Sequence, residues 1–270
     1  PLNTNTDVPM EQKGIKLSII TVNLNNAKGL SKTIDSVLEQ LNPDAEFLII
    51  DGGSVDQSLT MIKEVAHKLS YWISEKDSGI YAAMNKGIEK AKGNHLLFLN
   101  SGDTLVADQS LAILFSLLAD DPDILSCCIR VEANGPKDEL RSPIKNFSHQ
   151  NLLLDSLPHQ STLIKRSLFL EHGYYDEELR IAADWDFWLR LAPYPIFYKH
   201  SALVLSRMER EGLGANMNND HFHERLLIFG RYAKGLRLNF FWLRLMYRNR
   251  KLLAWYMQKP MKTSSSKKHR

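Results

Sequence analysis

Between residues 16 and 106, short apolar runs alternate with amphipathic stretches, and that alternation restricts the chain to α/β architectures built on a mostly parallel sheet. Residues 17–22 read as a buried strand, after which Leu30, Ile34, Val37, Leu38 and Leu41 recur at helical spacing. A second strand over 47–50 runs into Asp51-Gly52-Gly53-Ser54, followed by a helix with Leu59, Ile62, Val65 and Leu69 on one face. A short strand at 71–74 comes next. The spacing then predicts a helix over 80–92, stopped at Gly93, and a strand over 95–99 that runs into Asn100-Ser101-Gly102-Asp103. Strand–helix–strand units of this kind connect with a right-handed crossover, giving a Rossmann-like sheet flanked by helices. Ligands of such sheets sit outside the carboxyl ends of the strands. The candidates for a site are therefore Thr21 and Asn23, Asp51, residues 75–79, and Asp103.

Beyond residue 108 the alternation loosens. A helix near 111–118 precedes a strand at 124–131 and a turn at Gly135-Pro136; residues 137–160 read as irregular, with a strand at 162–164 and a helix over 183–191 after them. From about His221 the chain reads as helical, interleaving Phe240, Phe241, Trp242, Leu245, Trp255 and Tyr256 with arginines. No internal repeat is visible. With 270 residues, 44% hydrophobic, the chain is long enough to bury a substantial core.

Charge is distributed unevenly. All 31 acidic residues lie at or before Glu224, and 13 of the 34 basic ones follow it, so the first 224 residues carry 21 − 31 = −10 and the last 46 carry +13. An acidic body with a basic, aromatic tail suits a polyanionic partner. We expect residues 225–270 to meet an anionic membrane surface as an interfacial helix. Nucleic acid is the competing partner, since basic and aromatic residues also suit phosphate and base stacking. No nucleic-acid motif accompanies the tail, so nucleic-acid binding is not expected. The two cysteines, Cys127 and Cys128, are sequence neighbours and cannot easily be bridged, which favours a reducing compartment. Residues 1–16 lack the apolar core of a signal peptide, and no uninterrupted apolar run reaches the ~18 residues of a spanning helix. The expected location is cytoplasmic, peripheral at the inner membrane face.

The strand ends carry suitable chemistry. A carboxylate at Asp51 can accept hydrogen bonds from a nucleobase imide or a ribose hydroxyl, and Gly52 and Gly53 allow close approach or positive φ. Alone, the same residues describe a strand-to-helix turn with an Asp cap. Asp103 can hold a divalent ion that stabilises a leaving diphosphate, although a single strand-end Asp also serves as a turn residue. Neither a G-x-G-x-x-G nor a Walker-type loop is present.

Taken together, five stretches resemble family 2 glycosyltransferases of the GT-A fold: residues 17–23, 51–56, 74–88, 100–103 and 183–190, in the family's order. The resemblance covers roughly residues 16–210. It implies a nucleoside-diphosphate sugar as donor, favouring UDP, and a glycan or lipid-linked acceptor in surface polysaccharide synthesis. Thr21, Asn23 and Asp51 are then expected at the base and ribose. Residues 77–86 would approach the diphosphate and donor sugar, with Asp77 and Lys86 as contacts. Ser101 and His159 would lie near the donor, and Asp103 matches the last carboxylate of the family's D-x-D element, which holds Mn²⁺ or Mg²⁺. Asn100 and Gly102 depart from that pattern, standing where acidic residues are usual, although Asn100 can offer a carbonyl oxygen.

The family's base is the Asp of a Glu-Asp pair at a helix start, which Ala183-Asp184 matches with the Glu replaced. An inverting transfer needs one carboxylate to take the acceptor hydroxyl's proton. Asp184 is the candidate; Asp186, about 200° away on a helix, cannot face the same cleft. The alternative role for Asp184 is to cap its helix. Gly212-Leu213-Gly214, with Arg207 before it, is similar to a segment that closes over the donor. On this reading residues 1–15 form a disordered tail, 16–220 the GT-A domain, and 221–270 a basic amphipathic helical tail. The competing function is a catalytically weak nucleotide-sugar-binding protein of the same fold. Nucleotidyl transfer shares the fold but would need a glycine-rich loop near the first strand, which is missing.

Overall fold

The computed structural model describes residues 15–106, 110–132, 138–209 and 219–232. The N-terminal tail, the Gly135-Pro136 turn, the Gly212-Leu213-Gly214 segment and the basic tail from residue 233 lie outside the described residues. In chain order the elements are β1 (Leu17–Asn23), α1 (Ala27–Leu38), β2 (Ala45–Asp51), α2 (Ser58–Val65), β3 (Tyr71–Ser74), α3 (Ile80–Lys90), β4 (His95–Phe98), β5 (Thr104–Leu105) and α4 (Ser110–Leu117). They continue with β6 (Ile124–Val131), β7 (Glu139–Arg141), α5 (His149–Leu154), β8 (Thr162–Lys165), α6 (Arg166–His172), α7 (Ala183–Leu191), β9 (Tyr198–Met208) and α8 (Asn219–Tyr232). Single 3₁₀ turns occupy Ala66–Lys68 and His159–Ser161.

One sheet runs in the order β3-β2-β1-β4-β8-β6-β9-β5, with β7 on β6. Its first half, β3-β2-β1-β4, is wholly parallel. The second half is mixed: β8 is antiparallel to both β4 and β6, and β9 is parallel to β6 but antiparallel to β5. Parallel strands covered by helices on both faces read as unbroken apolar runs, and every residue of β1 and of β2 is buried.

Helix packing explains two glycines. A Cβ on Gly87 would lie 2.5 Å from Ile20 Cγ2, so only glycine lets α3 rest this closely on β1. At Gly93 a Cβ would lie 2.5 Å from the Ser18 backbone nitrogen. The backbone is already extended at Ala91, so α3 ends at Lys90 rather than at the expected residue 92. Against α3 and β4 sits an aromatic cluster in which Phe169 stacks on Phe187 at 4.3 Å and Tyr175 contacts Tyr81, Phe98 and Phe187. These edge and stacked contacts fix α7 relative to α3 and β4. No helix among the described residues is long and apolar enough to cross a membrane.

Candidate active site

The carboxyl ends of β1 and β2 meet side by side, Asn23 pairing with Asp51 in register. Asn23 Nδ2 donates to Asp51 Oδ1 at 2.7 Å, and the same oxygen accepts from Ser54 Oγ at 2.6 Å. Asp51 Oδ2 accepts from the Ser54 N–H at 2.9 Å and from Ser74 Oγ at 2.6 Å. Burial pushes the Asp51 carboxyl up, but these donors outweigh it and hold the group below its ordinary value. Four donors occupy the roughly four acceptor positions of a carboxylate. What remains open at this end is the buried Asn23 Oδ1, which has no partner among the described residues. Thr21 faces inward, its hydroxyl donating to the Leu99 carbonyl at 2.7 Å and so tying β1 to the end of β4.

Both expected uses of the glycines occur. Gly53 has φ +80°, and a Cβ on Gly52 would lie 2.8 Å from Asp77 Oδ2. That close approach brings the loop after β3 onto the end of β2. Asp77 Oδ1 accepts from the Gly79 N–H at 3.1 Å just ahead of α3. Burial pushes the Asp77 carboxyl above its ordinary value, against the pull of that N–H and of Lys86. Lys86 itself pairs with Glu75 at 2.7 Å. The loop after β1 is laced to the 100–103 turn: Asn26, which caps α1 by accepting from the Gly29 N–H, donates to the Ser101 carbonyl at 3.0 Å.

Asp103 is buried, and Thr33 Oγ1 donates to its backbone carbonyl at 2.7 Å. Burial pushes its carboxyl up to about 7, only partly offset by neighbours that include the Asn100 backbone and the Gln160 side chain. The Asn100 side chain turns away from a metal-ligating role on one of its two ends. Its Nδ2 lies 3.2 Å from His159 Nε2, while its buried Oδ1 has no partner among the described residues. Glu209, at the end of β9, pairs with Lys32, and its Oε2 lies 3.6 Å from where a Cβ on Gly102 would stand.

From His159 the chain of contacts passes to Asp184. His159 Nδ1 lies 3.1 Å from Asp184 Oδ2, and the two side chains are only 14% and 17% exposed. Asp184 Oδ1 accepts from the Trp185 N–H at 2.8 Å and from the Tyr81 hydroxyl at 3.2 Å. The ring is thus held between two partners, with Nε2 at the Asn100 amide and Nδ1 facing the Asp184 carboxylate. Burial pushes the Asp184 carboxyl up, but the hydrogen bonds from His159, Trp185 and Tyr81 hold it below its ordinary value. Asp184 is thus an anion in a largely enclosed setting, fed by donors from α3, the β8 approach and its own helix. Asp186, buried on α7, takes a different partner, pairing with Arg190 at 3.5 Å.

The structure therefore joins Asn23 with Asp51, Asp77 with the Gly52 turn, Ser101 with the β1 loop, and Asp103, Asn100, His159 and Asp184 in one continuous stretch. Three contributors escaped the sequence reading: Ser54 and Ser74 around Asp51, and Tyr81 on Asp184. Each lies inside or beside a quoted motif, so position was the available signal; what each one touches was not.

Comparison with known proteins agrees with this architecture. Residues 18–176 match the family model for glycosyl transferase family 2. A PGL/p-HBAD biosynthesis glycosyltransferase of Mycobacterium bovis is 31% identical over 234 residues, covering 82% of this chain and 87% of that protein. Among solved structures, Staphylococcus aureus TarS 1–349 in complex with UDP-GlcNAc superposes with a TM-score of 0.70 at 18% identity, over 91% of this chain and 76% of that one. The mannosyltransferase PcManGT from Pyrobaculum calidifontis, in complex with GDP-Man and Mn²⁺, gives a TM-score of 0.56 at 16% identity and covers 81% of this chain, which spans 61% of that protein. At such identities the structural likeness speaks for the fold. Strand ends bearing carboxylates, a wholly parallel half of the sheet and the matched family model converge, and the chain belongs to glycosyl transferase family 2 as a glycosyltransferase of GT-A fold.

Proposed function

We propose that this glycosyltransferase moves a sugar, with inversion, from a nucleoside-diphosphate donor, UDP being favoured, to a glycan or lipid-linked acceptor in surface polysaccharide synthesis. The observation that carries the reading is the Asn100–His159–Asp184–Tyr81 chain, which holds one enclosed carboxylate ionised beside the D-x-D position. Asp184 acts as general base: as the acceptor oxygen attacks the anomeric carbon from the face opposite the diphosphate, its proton passes to the carboxylate. His159 and Tyr81 orient that carboxylate and keep it charged. At the other end of the site, Asn23 Oδ1 is the open acceptor for a base imide or ribose hydroxyl, with Asp51 fixing the Asn23 amide. Lys86 exchanges Glu75 for the diphosphate.

A divalent cation, Mn²⁺ or Mg²⁺, fits the residues at 100–103 in a limited way. Asp103 is a buried carboxylate held up to about 7 by desolvation, and Asn100 Oδ1 is an orphaned buried acceptor. One carboxylate and one amide oxygen suffice where the substrate's own phosphates complete the shell. Among the described residues no group of three His, Cys, Asp or Glu side chains forms a metal cluster, so the cation would depend on the donor for tight binding. When bound, it supplies positive charge to the departing diphosphate. The PcManGT complex, which holds GDP-Man and Mn²⁺, supports this reading, as does the TarS complex with UDP-GlcNAc for the donor.

Thermal stabilisation by a panel of nucleoside diphosphates, with and without Mn²⁺, tests the assignment. A shift for UDP that Mn²⁺ enlarges is expected. Stabilisation by none of the diphosphates would sink the donor assignment, and donor turnover with either cation would reject a binding-only protein.

A further inference from the structure

Three consecutive backbone N–H groups just ahead of α7 point at one side chain. Glu224 Oε1 accepts from the Arg180 N–H at 2.7 Å, and Oε2 accepts from the Ile181 and Ala182 N–H groups at 2.8 and 3.0 Å. Successive N–H groups converging in this way form an anion-binding nest. Here the anion is a carboxylate from α8, some forty residues downstream, and it is buried. No side chain of its own caps the start of α7 at Ala182. The same short segment is also held from the opposite side, because the Tyr81 hydroxyl lies 2.9 Å from the Ile181 carbonyl and shares its one proton between that carbonyl and Asp184 Oδ1. Two residues after the nest stands Asp184, and the ring of Trp185 beside it is covered by the Arg225 guanidinium at 4.6 Å.

We infer that Glu224 is a positioning residue for the catalytic base: its carboxylate fixes the 180–182 turn, and through it the start of α7, so that Asp184 meets His159 and Tyr81. This rests on the assignment of Asp184 as base. Glu224 touches neither donor nor acceptor in the proposed reaction. Its loss therefore leaves donor binding intact, since that pocket is built at the ends of β1 and β2, and lowers the rate of transfer. A carboxylate misplaced by about 1 Å costs on the order of 10²-fold in rate.

The test compares Glu224→Ala and Glu224→Gln in the full chain. In Glu224→Ala, kcat should fall by roughly 10- to 100-fold with the donor KM unchanged. Added acetate, which can refill the vacated nest, should restore a large part of the rate, whereas acetamide should not. Hydrogen exchange at the Ile181 and Ala182 amides should quicken in the variant and slow again with acetate. Glu224→Gln fills the nest with a neutral group, so it should show an intermediate kcat insensitive to acetate; it also serves if the alanine variant fails to fold. Wild-type kcat in either variant overturns the inference, as does a loss in Glu224→Ala that acetate leaves untouched while donor KM rises in step. Asp184→Asn, run alongside, separates the two claims. Turnover there sinks the base assignment, whereas an inactive Asp184→Asn with a fully active Glu224→Ala sinks only the role of Glu224.

Discussion

Replacing His159 with alanine removes one of the three donors that hold the Asp184 carboxylate. Burial pushes that carboxyl up, and the donors are what keep it below its ordinary value, with His159 the largest of them. A hydrogen bond to a charged group contributes about 1.5–3 kcal/mol. With that donor gone, burial is less opposed and the pKa of Asp184 rises. A depressed carboxyl is ionised, and competent as a base, down to its lowered pKa. Raising that pKa moves the acid limb of the kcat profile to higher pH, while the plateau above it suffers less. Initial rates of nucleotide release from donor plus acceptor, measured through the acidic and neutral range for the parent and His159→Ala, give the two profiles. An acid limb that stays in place, or moves to lower pH, refutes the claim that His159 keeps Asp184 charged.

Asp103 titrates in the opposite sense. Its folded pKa is raised, so the stability linked to it is complete below the unfolded value near 3.8 and is lost as pH rises through about 7. Asp103→Asn should therefore stabilise the metal-free protein above neutral pH by on the order of 4 kcal/mol for a pKa displaced from 3.8 to about 7, seen as a higher Tm, and should shrink the Mn²⁺-dependent stabilisation. An unchanged metal-free Tm in mild alkali would contradict that account. Gly87→Ala gains helix propensity but places a methyl 2.5 Å from the buried Ile20 Cγ2, and the overpacking, about 1–3 kcal/mol, outweighs the gain. Denaturant melts should show a lower midpoint, and a higher one would mean that α3 shifts freely on β1.

The parallel half of the sheet was legible because its strands are uninterrupted apolar runs closed by Asp, Asn and Gly. Asp51 and Asp103 stood out at the ends of those runs, and their burial follows from the same pattern. The other half was harder for reasons visible in particular elements. β7 is three exposed residues and α5 six, both inside the stretch read as irregular, and neither is long enough to display a period. β9 was missed altogether, since its eleven residues are mostly half-exposed and lack both an unbroken apolar run and a regular alternation. Among site residues, the sequence names candidates but not partners. Asn100 was visible as a departure from D-x-D, yet that its amide faces His159 depends on how the 3₁₀ turn at His159–Ser161 packs under β4. Glu224 carried no signal beyond being the last acidic residue of the chain.

Activity of Asp184→Asn is the most direct measurement. The substitution keeps the side chain's size and its hydrogen bonds with Trp185 and Tyr81 but cannot take up a proton. The predicted result is loss of sugar transfer by at least about 10²-fold, the lower end for a positioned general base, with nucleoside diphosphate binding preserved. Transfer at a rate close to that of the parent protein would show that the proton leaves by another route.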